Sequence, residues 1–282
     1  MPDVASLAQF RDWIGRTDVR EDVVTAAPLV ALSALLDRED PPPREGDAAP
    51  PLAHWLYFLP NYRQSEAGPD GHALKGGFLP PAPLPRRMWA GSRIEFLRPL
   101  RVGARIERVS RIADVVPKEG RSGPLLFVTV RHEIRADGSA AIVDQHDIVF
   151  RGETALANAP KPAPAHAAWK REILPDPVLL FRYSAVTFNS HRIHYDHPYV
   201  TKVEGYPGLV VHGPLIATLL VDLLRRNRPE VELRSYAFRA LRPLCDTAKF
   251  STCGAPDENE RSAKLWTRDA QGAVTMEATA QW

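Results

Sequence analysis

The sequence predicts an α+β protein built twice over, with antiparallel strands wrapped around a buried helix. Three observations carry this expectation. Leu-Arg-Pro-Leu occurs at 97–100 and again 144 residues later at 241–244, inside stretches that share an apolar alternation and a polar turn, the mark of an internal duplication. Both halves end in a long hairpin pattern: LLFVTVRHEI, the turn Asp137-Gly138 and AAIVDQHDIVF in the first, and AKLWTRDAQGAVTMEATAQW in the second. One helix dominates, starting with Pro214 in the favoured first position, with Leu215, Ile216, Leu219, Leu220, Leu223 and Leu224 on one stripe. Arg225, Arg226 and Arg228 follow at its C-terminal end, where cations suit the dipole. A single apolar helix among long antiparallel strands is an α+β arrangement.

The chain therefore divides into a first half at 1–154, a linker at 155–172 that opens with the alanine- and proline-rich ALANAPKPAPAHAAW, and a second half at 173–282. Residues 4–37 read as two helices, with Val4, Leu7, Ala8 and Phe10 in the first and Leu29, Leu32, Leu35 and Leu36 in the second. Pro41 to Pro43 end that section. The aromatic segment HWLYFLPNY (54–62) leads into a polar, glycine-rich loop and then FLPPAPLPRRMW (78–89), whose prolines exclude a helix or a central strand.

Composition excludes several classes of function. In 282 residues, 36 Lys and Arg stand against 34 Asp and Glu, so a formal charge of +2 gives no reason to expect nucleic acid or an anionic membrane as partner. No apolar run approaches the roughly 18 residues of a membrane span. Two cysteines, Cys245 and Cys253, cannot build a multi-bridge framework, and an acidic N-terminus lacks the character of a transit peptide. A reduced, cytoplasmic setting is expected.

The chemistry concentrates at 188–215, FNSHRIHYDHPYVTKVEGYPGLVVHGPL. His194 titrates near neutrality and can act as general base, and Asn189 can orient a water or polarise a carbonyl although it cannot take a proton. Taken alone, the pair also fits a turn in which Asn189 caps a short helix. His212-Gly213-Pro214 adds a helix start, whose free N–H groups favour a developing oxyanion such as the enolate-like oxygen of a thioester. His191, His194 and His197 invite a metal reading, which Pro198 and the lack of a second carboxylate-rich cluster oppose. Ser184 and Ser190 lack a nucleophile-elbow context, and neither cysteine has an adjacent histidine.

YSAVTFNSHRIHYDHPY and EGYPGLVVHGPL, together with GGFLPPAPLPRRMWAGSRIEF and the PLRVG turn of the first half, resemble the MaoC-like hot-dog hydratases and dehydratases. They resemble most the branch of hydroxyacyl-thioester dehydratase type 2 and mesaconyl-C4-CoA hydratases, over most of the chain. The resemblance implies a double hot-dog fold, two antiparallel sheets each wrapped around a central helix, with 1–154 a degenerate domain and 173–282 the catalytic one. It implies a hydro-lyase that reversibly hydrates an α,β-unsaturated acyl thioester, with His194 as the catalytic histidine, Gly213 as the oxyanion donor and Asn189 where the family carries Asp. That departure leaves either His194 working with an Asn189-held water or help from a neighbour such as Asp196.

His191, Tyr195 and His212 are the implied substrate contacts beside these residues. Trp55, Tyr57 and Phe58, with the proline loop 79–85, are candidates for the acyl-pocket wall, and Arg86, Arg87 and Arg93 for the phosphates of coenzyme A. The expected partner is an acyl-CoA thioester, with no cofactor, no metal, no nucleic acid and no membrane, and the implied assembly is a homodimer of double hot dogs. Thioester hydrolysis and non-catalytic acyl-CoA binding are the alternatives.

Overall fold

Arg93 and Ala237 face each other across two adjacent antiparallel strands, and they are separated by the same 144 residues as the two Leu-Arg-Pro-Leu motifs. The duplication thus becomes an approximate two-fold axis between β2 (Arg86–Phe96) and β7 (Ser235–Ala240). The computed structural model describes residues 3–120, 123–152 and 159–282. Its remaining strands are β1 (Thr17–Val23), β3 (Arg105–Gly120), β4 (Gly123–Ala136), β5 (Ser139–Arg151), β6 (Trp169–Ile173), β8 (Phe250–Pro256), β9 (Ser262–Arg268) and β10 (Val274–Gln281). They join in one ten-stranded sheet of order β1-β3-β4-β5-β2-β7-β10-β9-β8-β6, every pair antiparallel. Each half repeats the same order outward from the axis, so the double hot-dog organisation is present as two five-stranded sheets fused edge to edge.

The predicted hairpins are β4–β5 and β9–β10, with Asp137 and Gly138 at positive φ in the first turn. Two segments differ from expectation. Between α1 (Val4–Leu7), which runs on into a 3₁₀ helix at Ala8–Trp13, and α2 (Ala26–Leu35), residues 17–23 form β1 rather than helix. TDVREDV alternates charged side chains as an edge strand does, and it pairs with β3 from Thr17↔Arg111 to Val23↔Arg105. The symmetric edge strand β6 takes up the end of the segment read as linker, pairing with β8, while 153–158 lie outside the described residues.

The second half packs α3 (Pro177–Thr187), α4 (His197–Lys202) and α5 (Gly213–Asn227). Every residue of α5 from Leu215 to Leu224 is buried, so the expected single stripe is instead a helix enclosed on all sides, with β6, β8, β9, β10 and β2 against it. Buried Asp222 is tolerated because Arg38, Arg171 and Arg226 reach it at 3.0, 2.8 and 2.7 Å, Arg38 coming from the first half. Among the described residues the first half has no central helix of comparable length. The 3₁₀ turn Ala53–Leu56 packs on its sheet instead, through His54 and Trp55 on Asp144, and the proline loop through Ala82 and Leu84. No described helix is long and apolar enough to cross a membrane.

Candidate active site

α3 stops where Phe188 takes the left-handed conformation (φ 49°), and the chain turns to present residues 189–194. Asn189 is fixed locally: its Oδ1 accepts from the His191 backbone N–H (3.1 Å) and its own N–H donates to the Ser184 carbonyl (2.8 Å). The cap-like turn and a free amide therefore coexist, because Nδ2 has no protein partner among the described residues. His194 is only 7% exposed, and its Nδ1 donates to the Val210 carbonyl at 2.7 Å. Since a carbonyl can only accept, Nε2 is left as the basic nitrogen. Burial, against that hydrogen bond, pulls His194 down to about 4, so it is neutral at physiological pH.

His212 stacks on His194 with ring centroids 3.6 Å apart and planes 19° apart, and its Nε2 meets Ser184 Oγ at 2.8 Å. It is 0% exposed, so it backs the His194 ring and does not reach a ligand as its assignment to substrate contact requires. His191 stands edge-on to His194 at 5.4 Å, and burial holds it, like His212, below the usual imidazole range.

α5 begins at Gly213, whose N–H has no protein acceptor among the described residues, and Pro214 lacks one by chemistry. A Cβ on Gly213 would stand 3.7 Å from the Trp89 carbonyl, an ordinary contact. The free N–H, more than the missing side chain, therefore makes this position a suitable oxyanion donor.

The glycine-rich loop of the first half supplies residues that the sequence reading missed. Asp70 Oδ2 accepts from His72 Nδ1 at 2.9 Å, and the His72 ring lies 4.0 Å from that of His191. The loop is clamped onto the 189–194 segment: the Arg192 N–H donates to the Asp70 carbonyl (2.9 Å), Arg192 Nη1 to the Pro69 carbonyl (3.0 Å), and Ser190 Oγ and Tyr62 Oη each to the Gly71 carbonyl (2.6 Å). Gly71, at φ +89°, allows this approach, since a Cβ there would lie 1.9 Å from the Ser190 carbonyl oxygen. Burial raises the Asp70 carboxyl, but the His72 hydrogen bond and charge outweigh it and hold it below the usual range. Donor atoms of Asp70, His72 and His191 lie within 4.8 Å of one another, so a small cation could be held only at the expense of the Asp70–His72 bond. Asp-Gly-His at 70–72 inside a glycine-rich loop was the available signal.

Asn189 and Pro214 line a cavity of about 440 Å³ that runs from this loop across the inner face of the first-half sheet. Trp55, Tyr57 and Phe58 form part of its wall, whereas the proline loop contributes only Leu79, its Ala82 and Leu84 packing into a separate cluster with Leu7 and Phe10. Trp89 lies between Trp55 (5.0 Å) and His146 (3.9 Å). Asp144, 1% exposed, accepts from His146 (2.8 Å), Trp55 Nε1 (2.9 Å) and His54 (3.1 Å). Alternation in VDQHD places Asp144 and His146 on one face, a signal visible in the sequence.

Two of the three arginines expected at coenzyme A are already engaged. Arg86 pairs with Glu204, and Arg93 grips Asp147 in a fork (2.5 and 2.9 Å). Arg87 lines the cavity with no ion-pair partner among the described residues. Tyr195 is 46% exposed and donates to the Ser190 carbonyl at 3.1 Å, outside the cavity lining. Asp196 caps α4 through the Tyr199 N–H (3.0 Å) and binds Arg192 (2.7 Å), which occupies it away from His194.

Residues 52–246 match the family described as hydroxyacyl-thioester dehydratase type 2. The chain is 46% identical over 281 residues to mesaconyl-C4-CoA hydratase of Chloroflexus aurantiacus, covering 98% of this chain and 99% of that one. It is 26% identical over 263 residues to the mitochondrial hydroxyacyl-thioester dehydratase type 2 of Schizosaccharomyces pombe, covering 80% and 85%. Among solved structures, a MaoC-like dehydratase from Phytophthora capsici superposes with a TM-score of 0.72 at 14% identity (98% and 97% covered), and HtdX of Mycobacterium tuberculosis with 0.66 at 21% (94% and 99%). These structures establish the hot-dog fold.

Proposed function

This chain belongs to the hydroxyacyl-thioester dehydratase type 2 family and is a hydro-lyase of acyl thioesters, and from that premise we propose that it hydrates a mesaconyl-C4-CoA type substrate at the cavity beside Asn189. The supporting observation is the meeting on one cavity of the Asn189 amide and the start of α5, with His194 Nε2 left free behind them. Asn189 Nδ2 holds the water. His194 Nε2 takes its proton as the oxygen bonds to Cβ, and electron density moves to the thioester oxygen at the Gly213 N–H. The imidazolium then returns the proton to Cα, so a single base closes the cycle without the family's Asp. Asp70 is the nearest carboxylate along the row His72, His191, His194, and it offsets the transient positive charge.

The experiment follows loss of the conjugated-thioester absorbance with mesaconyl-C4-CoA and with crotonyl-CoA, while a thiol reagent monitors free coenzyme A. Hydration without thiol release is expected. Thiol release from saturated acyl-CoA would point to hydrolysis, and ligand-induced thermal stabilisation without turnover to a binding module.

A further inference from the structure

The cavity contains two guanidinium groups with no carboxylate partner among the described residues, Arg87 on β2 and Arg108 on β3. They stand at opposite ends. The charge of Arg87 bears on His72 and His191 and is felt by Asp70, whereas that of Arg108 bears on His54 and His132 near Asp144. A half-buried cation without an ion-pair partner on a ligand cavity marks where an anionic part of the ligand belongs.

We propose that Arg87 binds a free carboxylate carried on the β-carbon of the substrate, and so selects a dicarboxylic enoyl thioester over a plain one. This rests on the hydration reading above and deepens it.

The chemistry of such a substrate decides between the two cations. In the C4 thioester of methylfumarate the free carboxylate is attached to the carbon that receives water, so its partner must stand beside the water-holding Asn189 and not three strands away. Arg87 meets that requirement. It precedes Trp89, whose carbonyl abuts Gly213, by two residues on the same strand, a span of about 7 Å. The two carboxyl carbons of a four-carbon chain are three bonds of about 1.5 Å apart, so a thioester oxygen at Gly213 and a carboxylate at Arg87 fit one substrate. Asp70 acts on the guanidinium only through its field, because its carboxylate is bonded to His72 and no Arg87–Asp70 ion pair forms. A planar fork facing a carboxylate gives bidentate recognition that a lysine cannot reproduce.

The test is kcat/KM for mesaconyl-C4-CoA and for crotonyl-CoA, measured with the wild type, Arg87→Met, Arg87→Lys and Arg108→Met. The wild type should favour the dicarboxylic thioester, and Arg87→Met should lower that preference by roughly 100-fold, with Arg87→Lys intermediate. Arg108→Met should move it by less than about threefold. A preference unchanged in Arg87→Met, a loss shared equally by both substrates, or an equal shift in Arg108→Met would overturn the proposal. Arg87→Lys keeps a cation in the cavity and provides the comparison if the methionine variant misfolds. Failure of the wild type to hydrate either thioester would instead reject the hydration reading, and this proposal with it.

Discussion

His194 and His212 stack almost face to face, 3.6 Å between centroids, while their outer nitrogens are tied to different elements, Val210 for one and Ser184 of α3 for the other. The His194 ring is thus held flat by a fully buried neighbour. His212→Ala should lower kcat by about tenfold with little change in KM, because the stack orients Nε2 and does not bind substrate. Steady-state kinetics check this, and a change confined to KM would contradict it.

The acid limb of the pH profile is shifted. In the proposed mechanism His194 acts in its neutral form, and burial lowers its pKa from 6.5 to about 4. The sign for stability follows from the same shift: the unfolded chain takes up a proton near 6.5 and the native chain does not until about 4. Its contribution, on the order of 3 kcal/mol, is complete above 6.5 and is lost as pH falls through that window. His72, His191 and His212 shift in the same direction. Wild-type kcat/KM should therefore change by less than about threefold between roughly pH 7.5 and 5.5. The melting temperature should already decline over that range. An activity limb centred near 6.5 would refute the assignment.

Gly71→Ala should disable the site from a distance in sequence. Its Cβ would occupy the Ser190 carbonyl, in a backbone conformation that L-residues avoid, so the 68–74 loop must lift from the 189–194 segment. Activity should fall by more than about tenfold and stability by about 2 kcal/mol. Denaturant unfolding and turnover, measured together, decide it; a fully active, equally stable variant would show that the loop contact is dispensable.

Asp222→Ala tests the joint between the halves. Removing this carboxylate leaves Arg38, Arg171 and Arg226 facing one another without their shared anion, at a cost of about 3 kcal/mol. The melting temperature should drop sharply. A loss below about 0.5 kcal/mol would mean the cluster is held by solvent.

Much of this architecture was legible because it is periodic. The repeated Leu-Arg-Pro-Leu and the two hairpin patterns pointed to strands that meet at Arg93↔Ala237, and the run from Asn189 to Gly213 pointed to the residues that gather beside the cavity. β1 escaped because TDVREDV is mostly charged, and an edge strand needs no buried face to reveal it. The Asp70–His72 pair escaped because its partners lie more than a hundred residues away, brought together by backbone contacts at Gly71 that leave no pattern in sequence. Arg87 was visible as a cation, but only the ion pairs of Arg86 and Arg93 show which of the three remains free for a ligand.

The central claim is that His194 moves the proton in thioester hydration. The most direct measurement is initial-rate hydration of mesaconyl-C4-CoA by the wild type and by His194→Ala, followed at the conjugated-thioester absorbance. The account predicts wild-type turnover and a fall in kcat of about 100- to 10,000-fold in the variant. A correctly folded His194→Ala protein that turns over at the wild-type rate would contradict it.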